Sequence, residues 1–253
     1  RIIGMLYRIP VVNIIGSEGN GIYGAAFNIY NIMLVLSSYG LPMAVSKLVS
    51  ARFTKKRYKS AAKVLRCSLM VAVCTGGIAA LLVFFGASFI ENVIYGGGLP
   101  GLAVPLRILA PTIFLVAILG VIRGFFQGQS TMIPTAVSQI LEQIVNAIVS
   151  IAAGYGMMKA FASLPDVAAY GAAGSTLGTA MGALTAVLFM GFLYAVYTPT
   201  FNRLKRKDRH TENQSTGQIC KIIIYTMIPI ILGQTFYQIS ALIDDVMFKK
   251  HIA

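Results

Sequence analysis

The sequence predicts an all-α polytopic membrane protein with about seven transmembrane helices, and three observations carry that expectation. Of the 253 residues 57% are hydrophobic and only 11% charged, and the mean hydropathy is +0.75. That is too little charge to cover a water-soluble surface of this size. Several windows exceed the roughly 18 apolar residues that mark a span. The cations fall in runs between those windows, so the net charge of +13 reads as the positive-inside bias of cytoplasmic loops, with no nucleic-acid partner needed to explain it. Cys67, Cys74 and Cys220 lack ligand spacing, and His210 and His251 have no partner cluster. Neither a disulfide framework nor a metal or cofactor site is indicated.

The first span runs from Ile2 to about Ile15, with Arg1 and Arg8 on one face and Pro10 interrupting it. An arginine two residues before a proline suggests a bent helix lining a polar cavity, because the freed carbonyl and the guanidinium both need partners. Snorkelling to the headgroups is the alternative. Gly16 to Gly21 (GSEGNG) is an outer turn. The second span, Ile22 to Val49, carries Asn28 and Asn31 on one face, is bent by Pro42 and closes on Lys47 and Arg52. The acid-free stretch Arg52 to Arg66 is a cytoplasmic loop. The third span is about Val64 to Phe89, and a glycine-rich outer loop follows, Glu91 to Gly101. The fourth, Leu102 to Ile122, holds Arg107, Pro105 and Pro111, and the prolines should kink it.

The fifth span is the most informative. RGFFQGQSTMIPTAVSQILEQIVN, Arg123 to Asn146, joins two apolar runs through a short polar turn, with Pro134 at the favoured first-turn position. Gln139, Glu142, Gln143, Asn146 and Ser150 recur at helical spacing and stack on one face. A charge at mid-bilayer costs at least roughly 2.5 kcal/mol, so the stripe must face protein or a water-filled cavity. Glu142 either lines that cavity or sits near the headgroups and holds helices together. In the sixth span Gly174, Gly178 and Gly182 follow Gly171 at the spacing that lets helices pack backbone to backbone. Asn202 to Lys221 reads as a basic cytoplasmic linker, and the seventh span starts near Ile222, bends at Pro229 and carries Asp244 and Asp245. The expected division is a six-helix lobe over residues 1–200, a linker over 201–221 and the first helix of a further lobe over 222–253. The amino end is expected in the cytoplasm, and both ends look cut, as in a piece of a longer protein.

Four stretches, RIIGMLYRIPVVNIIGSEGNGIYG, YGLPMAVSKLVS, RGFFQGQSTMIPTAVSQILEQIVN and YQISALIDDVMF, resemble the MurJ-like family that includes the stage V sporulation protein B and YtgP-type proteins of Gram-positive bacteria. That family lies within the multidrug, oligosaccharidyl-lipid and polysaccharide (MOP) exporter superfamily, and the similarity runs along nearly the whole chain. The resemblance implies two lobes of about fourteen helices around a central cavity, with this chain as the amino-terminal, MATE-like lobe. It implies a monomeric flippase of the bacterial cytoplasmic membrane that moves lipid II, the undecaprenyl-pyrophosphate-linked peptidoglycan precursor, to the outer leaflet by alternating access. It also implies that Arg1 and Arg8 bind the pyrophosphate. The relatives' second-helix arginine has no match among residues 29–38, and Lys47 and Arg52 are the candidates to replace it.

The chemistry agrees with that implication. Arginine offers phosphate a planar fork, and Asn28, Asn31, Arg123, Gln139, Glu142 and Asn146 would line a hydrated path for the lipid-linked anionic substrate. Proline bends give the helices joints about which lobes can rock. A membrane enzyme would need acidic ligands or a base at the inner face, where only Asp208 and Glu212 occur, without ligand spacing. An exporter of another lipid-linked saccharide, a drug exporter and a non-transporting cell-wall scaffold remain alternatives. Coupling to a sodium ion or a proton, at Glu142 or at Asp244 and Asp245, is left open.

Overall fold

In a computed structural model, the backbone is described over residues 2–95, 98–163, 166–209 and 215–252, and the side chains from residue 7 to residue 236 of those ranges. The helices are α1 (Ile2–Ser37), α2 (Leu41–Thr54), α3 (Tyr58–Phe89), α4 (Ala103–Gln127), α5 (Ile133–Ala160), α6 (Val167–Lys207) and α7 (Thr216–Ile252). A wider, π-type turn over Ile90–Ile94 extends α3, and no strand occurs among the described residues. Six segments are long and apolar enough to cross a membrane, where about seven were expected. The difference lies in the first, Tyr7–Thr54, whose 48 residues would make a straight helix about 72 Å long, more than twice the hydrocarbon core.

The chain reverses inside α1. Gly16, at φ 71° and ψ −177°, holds a conformation essentially restricted to glycine, and it divides α1 into two arms. An unbroken helix would set Tyr7 and Tyr23 about 24 Å apart, yet their phenols adjoin. Val11 and Ile15 of the first arm share a core cluster with Ile22, Tyr23 and Ala26 of the second. The expected hairpin is therefore present with its turn shortened, since helix resumes at Ser17. The expected second span is broken rather than bent. Residues 38–40 leave the helix, and Pro42 falls in the first turn of α2, where a missing N–H costs nothing.

Lipid gives helices no hydrophobic reason to associate, so close backbone approach through small residues does much of the work. A Cβ on Gly182 of α6 would lie 2.7 Å from the Glu142 carbonyl oxygen, and one on Gly174 would collide with that of Ala153. The close packing expected from the glycine spacing is thus a backbone contact, and its partner is α5. A second seam was not anticipated. Gly120 and Gly124 of α4, and Gly128 just after it, lie against α2, with a Cβ on Gly124 falling 2.6 Å from the Pro42 carbonyl oxygen.

The basic end of the bundle is closed by aromatic rings. Phe53 stacks on Phe201 at 6.1 Å, and Phe125 meets Phe201 edge-on at 5.3 Å. Asp208, buried beside them, accepts the Lys59 backbone N–H at 2.9 Å and so caps α3. The segment expected as a linker over 201–221 is largely helical. It extends α6 to Lys207 and supplies α7 from Thr216.

Gly178→Ala would drive its methyl into the Ser150 hydroxyl and to 2.6 Å from the Asn146 carbonyl oxygen. Overpacking of that kind costs about 1–3 kcal/mol. Thermal unfolding followed by size exclusion should show a lower transition for this variant. Gly191→Ala, whose Cβ would meet nothing within 4 Å, should melt with the wild type.

Candidate substrate cleft

Arg123 lies one turn before the end of α4, and the short connection to α5 lays the first turns of α5 beside it. Its Nε donates to Ser138 Oγ at 2.9 Å and its Nη2 to Glu142 Oε2 at 2.8 Å. The Ser138 hydroxyl donates in turn to the Thr135 carbonyl at 2.8 Å, which leaves its lone pairs for the guanidinium. The two charged side chains are 14% and 22% exposed. Desolvation offsets much of the attraction in such a pair, so stability alone is a weak reason for it.

Arg123 borders a cleft of about 450 Å³ with two kinds of wall. Arg123, Gln127, Thr135 and Gln139, from α4 and α5, bring polar groups to one side, beside Val116 and Gly120 of α4. Leu34, Tyr39, Pro42 and Met43, around the break between α1 and α2, make it apolar on the other. Ser38 and Gln234 of α7 also reach it. Tyr30, buried on the second arm of α1, lies within electrostatic reach of Glu142.

The remaining expected residues separate by depth and by role. Asn146 is buried in the seam between α1, α5 and α6. Its amide donates to the Tyr7 hydroxyl at 3.2 Å, and its carbonyl accepts from Ser150 at 2.9 Å. It ties the hairpin to α5 and does not line the cleft. Arg52 is engaged at the basic end, its Nε on Ser60 at 2.8 Å and its Nη1 on the Leu48 carbonyl at 3.1 Å. Lys47, Asn28 and Asn31 are exposed, as is Arg8, which lies near Tyr23. Tyr7, the neighbour of Arg8, is level with Asn146, whereas Arg123 is level with Ser138 and Glu142. The partners of the two segments are thus offset by roughly 6–12 Å along α5. Arg1 lies outside the described residues, and Asp244 and Asp245 lie in α7 beyond the described side chains.

Three partners escaped the sequence reading. Ser138 was detectable, since it sits one turn before Glu142 on the same face of α5. Tyr30 and Asp208 act across long stretches of chain and leave no local pattern. The described residues include no cluster of His, Cys, Asp or Glu able to hold a metal ion.

Removing one partner of the Arg123–Glu142 pair should cost more than removing both. Arg123→Leu strands a carboxylate inside a span, a loss on the order of 3 kcal/mol, whereas Arg123→Leu combined with Glu142→Leu should recover most of it. A double-mutant cycle of unfolding in detergent measures the coupling.

Residues 1–252 match the family described as "Polysaccharide biosynthesis protein". The chain is 35% identical over 167 residues to the lipid II flippase MurJ of Bacillus subtilis (strain 168), covering 64% of this chain and 31% of that protein. It is 31% identical over 191 residues to stage V sporulation protein B of the same organism, covering 75% and 35%. The chain therefore spans about a third of the length of these curated relatives. Among solved structures, a MATE in complex with MaD3S aligns with a TM-score of 0.75 at 17% identity, over 95% of this chain and 52% of that one. An outward-facing multidrug resistance MATE family transporter of the MOP superfamily aligns at 0.71 and 17%, over 92% and 49%. At such identity the likeness speaks for the fold, which is that of half a MATE-like transporter. Because the family match runs essentially from end to end, the chain belongs to the polysaccharide biosynthesis protein family.

Proposed function

We propose that the protein moves a phosphate-bearing lipid-linked saccharide, with lipid II as the preferred case, from the inner to the outer leaflet of the bacterial cytoplasmic membrane by alternating access. The observation that carries this reading is the cleft at Arg123, which sets a guanidinium and hydrogen-bonding side chains within a largely apolar lining. A polyprenyl phosphate has the same division, since its headgroup wants a guanidinium fork and its tail wants hydrocarbon. The positive-inside bias orients the basic end, with Lys55, Lys56, Arg57, Arg203 and Arg206, toward the cytoplasm. Arg123 then lies nearer the inner leaflet and Arg8 deeper, as successive stations for one headgroup. The helix α7, which brings Gln234 to the cleft, belongs in this reading to the second lobe, so rocking of the lobes would open and close the site. No covalent step is needed.

An exporter of cationic drugs is the second reading, favoured by the MATE-like fold and by Glu142. It gives Arg123 no role toward the cargo.

Transport of labelled lipid II across vesicles, compared at equal protein, tests the proposal. Arg123→Gln should slow it at least about tenfold, and Arg8→Ala should slow it as well. Wild-type rates in both variants would remove the phosphate from the mechanism. Movement of a cationic drug but not of lipid II would leave the second reading standing.

A further inference from the structure

Glu142 already takes part of the guanidinium that the proposed function assigns to the substrate. We propose that Glu142 is a competing anion, which holds the place of the substrate phosphate on Arg123 and, by contesting it, keeps phosphate binding weak enough for release. This rests on the function proposed above.

The geometry supports exchange over permanent pairing. Arg123 meets Glu142 through a single bond, Nη2 to Oε2 at 2.8 Å, not through the two-bond fork that makes Arg–carboxylate pairs strong. Its Nη1 donates to nothing among the described residues, while the side chain lines the cleft. A phosphate entering the cleft can therefore take Nη1 first and Nη2 next, displacing one carboxylate oxygen.

Arg123 does not depend on Glu142 for its place. The bond from Nε to Ser138, at 2.9 Å, anchors it independently, and Ser138 is fully buried with its own hydrogen directed to Thr135. The displaced carboxylate also stays within electrostatic reach of the Tyr30 phenol, a group able to donate. Charge explains why such a competitor is useful. With Glu142 in place the site is neutral, which a span tolerates. With the phosphate in place two anions share one cation, and their repulsion favours departure.

A positioning role and a competing role predict opposite signs. Farnesyl pyrophosphate, with uncharged farnesol as control, serves as the binding probe on the purified protein, and labelled lipid II serves for transport in vesicles. If Glu142 competes, Glu142→Gln binds farnesyl pyrophosphate about tenfold tighter and transports more slowly, with KM and the maximal rate falling together. Glu142→Asp, which keeps the charge but draws the carboxylate back, then binds with intermediate affinity. It carries the comparison alone if Glu142→Gln does not fold. Weaker binding in the variants would assign Glu142 to holding Arg123, and unchanged binding would show that it contests nothing; either result overturns the proposal while leaving the flippase reading intact. A wild type that binds farnesyl pyrophosphate no better than farnesol would overturn both.

Discussion

A guanidinium inside hydrocarbon must be given partners, and much of the geometry near Arg123 follows from that requirement. The polar connection after α4 is short enough to return α5 alongside it, which brings Ser138 and Glu142 within reach. The glycines of α4 draw α2 against the neighbouring face and place the break between α1 and α2 across the cleft. Close packing thus serves electrostatics. Without backbone-to-backbone contact the helices would stand apart by a side chain's width, and water or lipid would have to satisfy the charge.

Helical class, spans and the α1 hairpin were legible because composition and length decide them. The polar face of α5 was legible too, but what it faces was not. Gln139 borders the cleft, Glu142 meets Arg123, and Asn146, one turn later, meets Tyr7 of the hairpin. Periodicity reports which residues share a face. It does not report that the neighbour of that face changes with depth.

The basic segment after the sixth span shows a different limit. Its lysines and arginines read as loop because charge marks the membrane boundary, yet both are good helix formers and suit the negative end of a helix dipole. Helix α6 therefore runs on to Lys207. The single residue in Asp208 that fixes this end was passed over because its partner, Lys59, is 149 positions away. Gly16 is a milder case: GSEGNG announces a reversal, but only the backbone angles reveal that one residue performs it.

The clamp at Asp208 has a mechanical consequence. It welds the far end of α6 to the start of α3, beside stacked rings that also join α2 and α4. Four helices are thereby joined at one end, α3 and α6 through a buried carboxylate and α2 and α4 through stacked rings. This end of the bundle should move as one stiff piece. The compliant place left to it is the joint that carries no such weld, the interruption between α1 and α2.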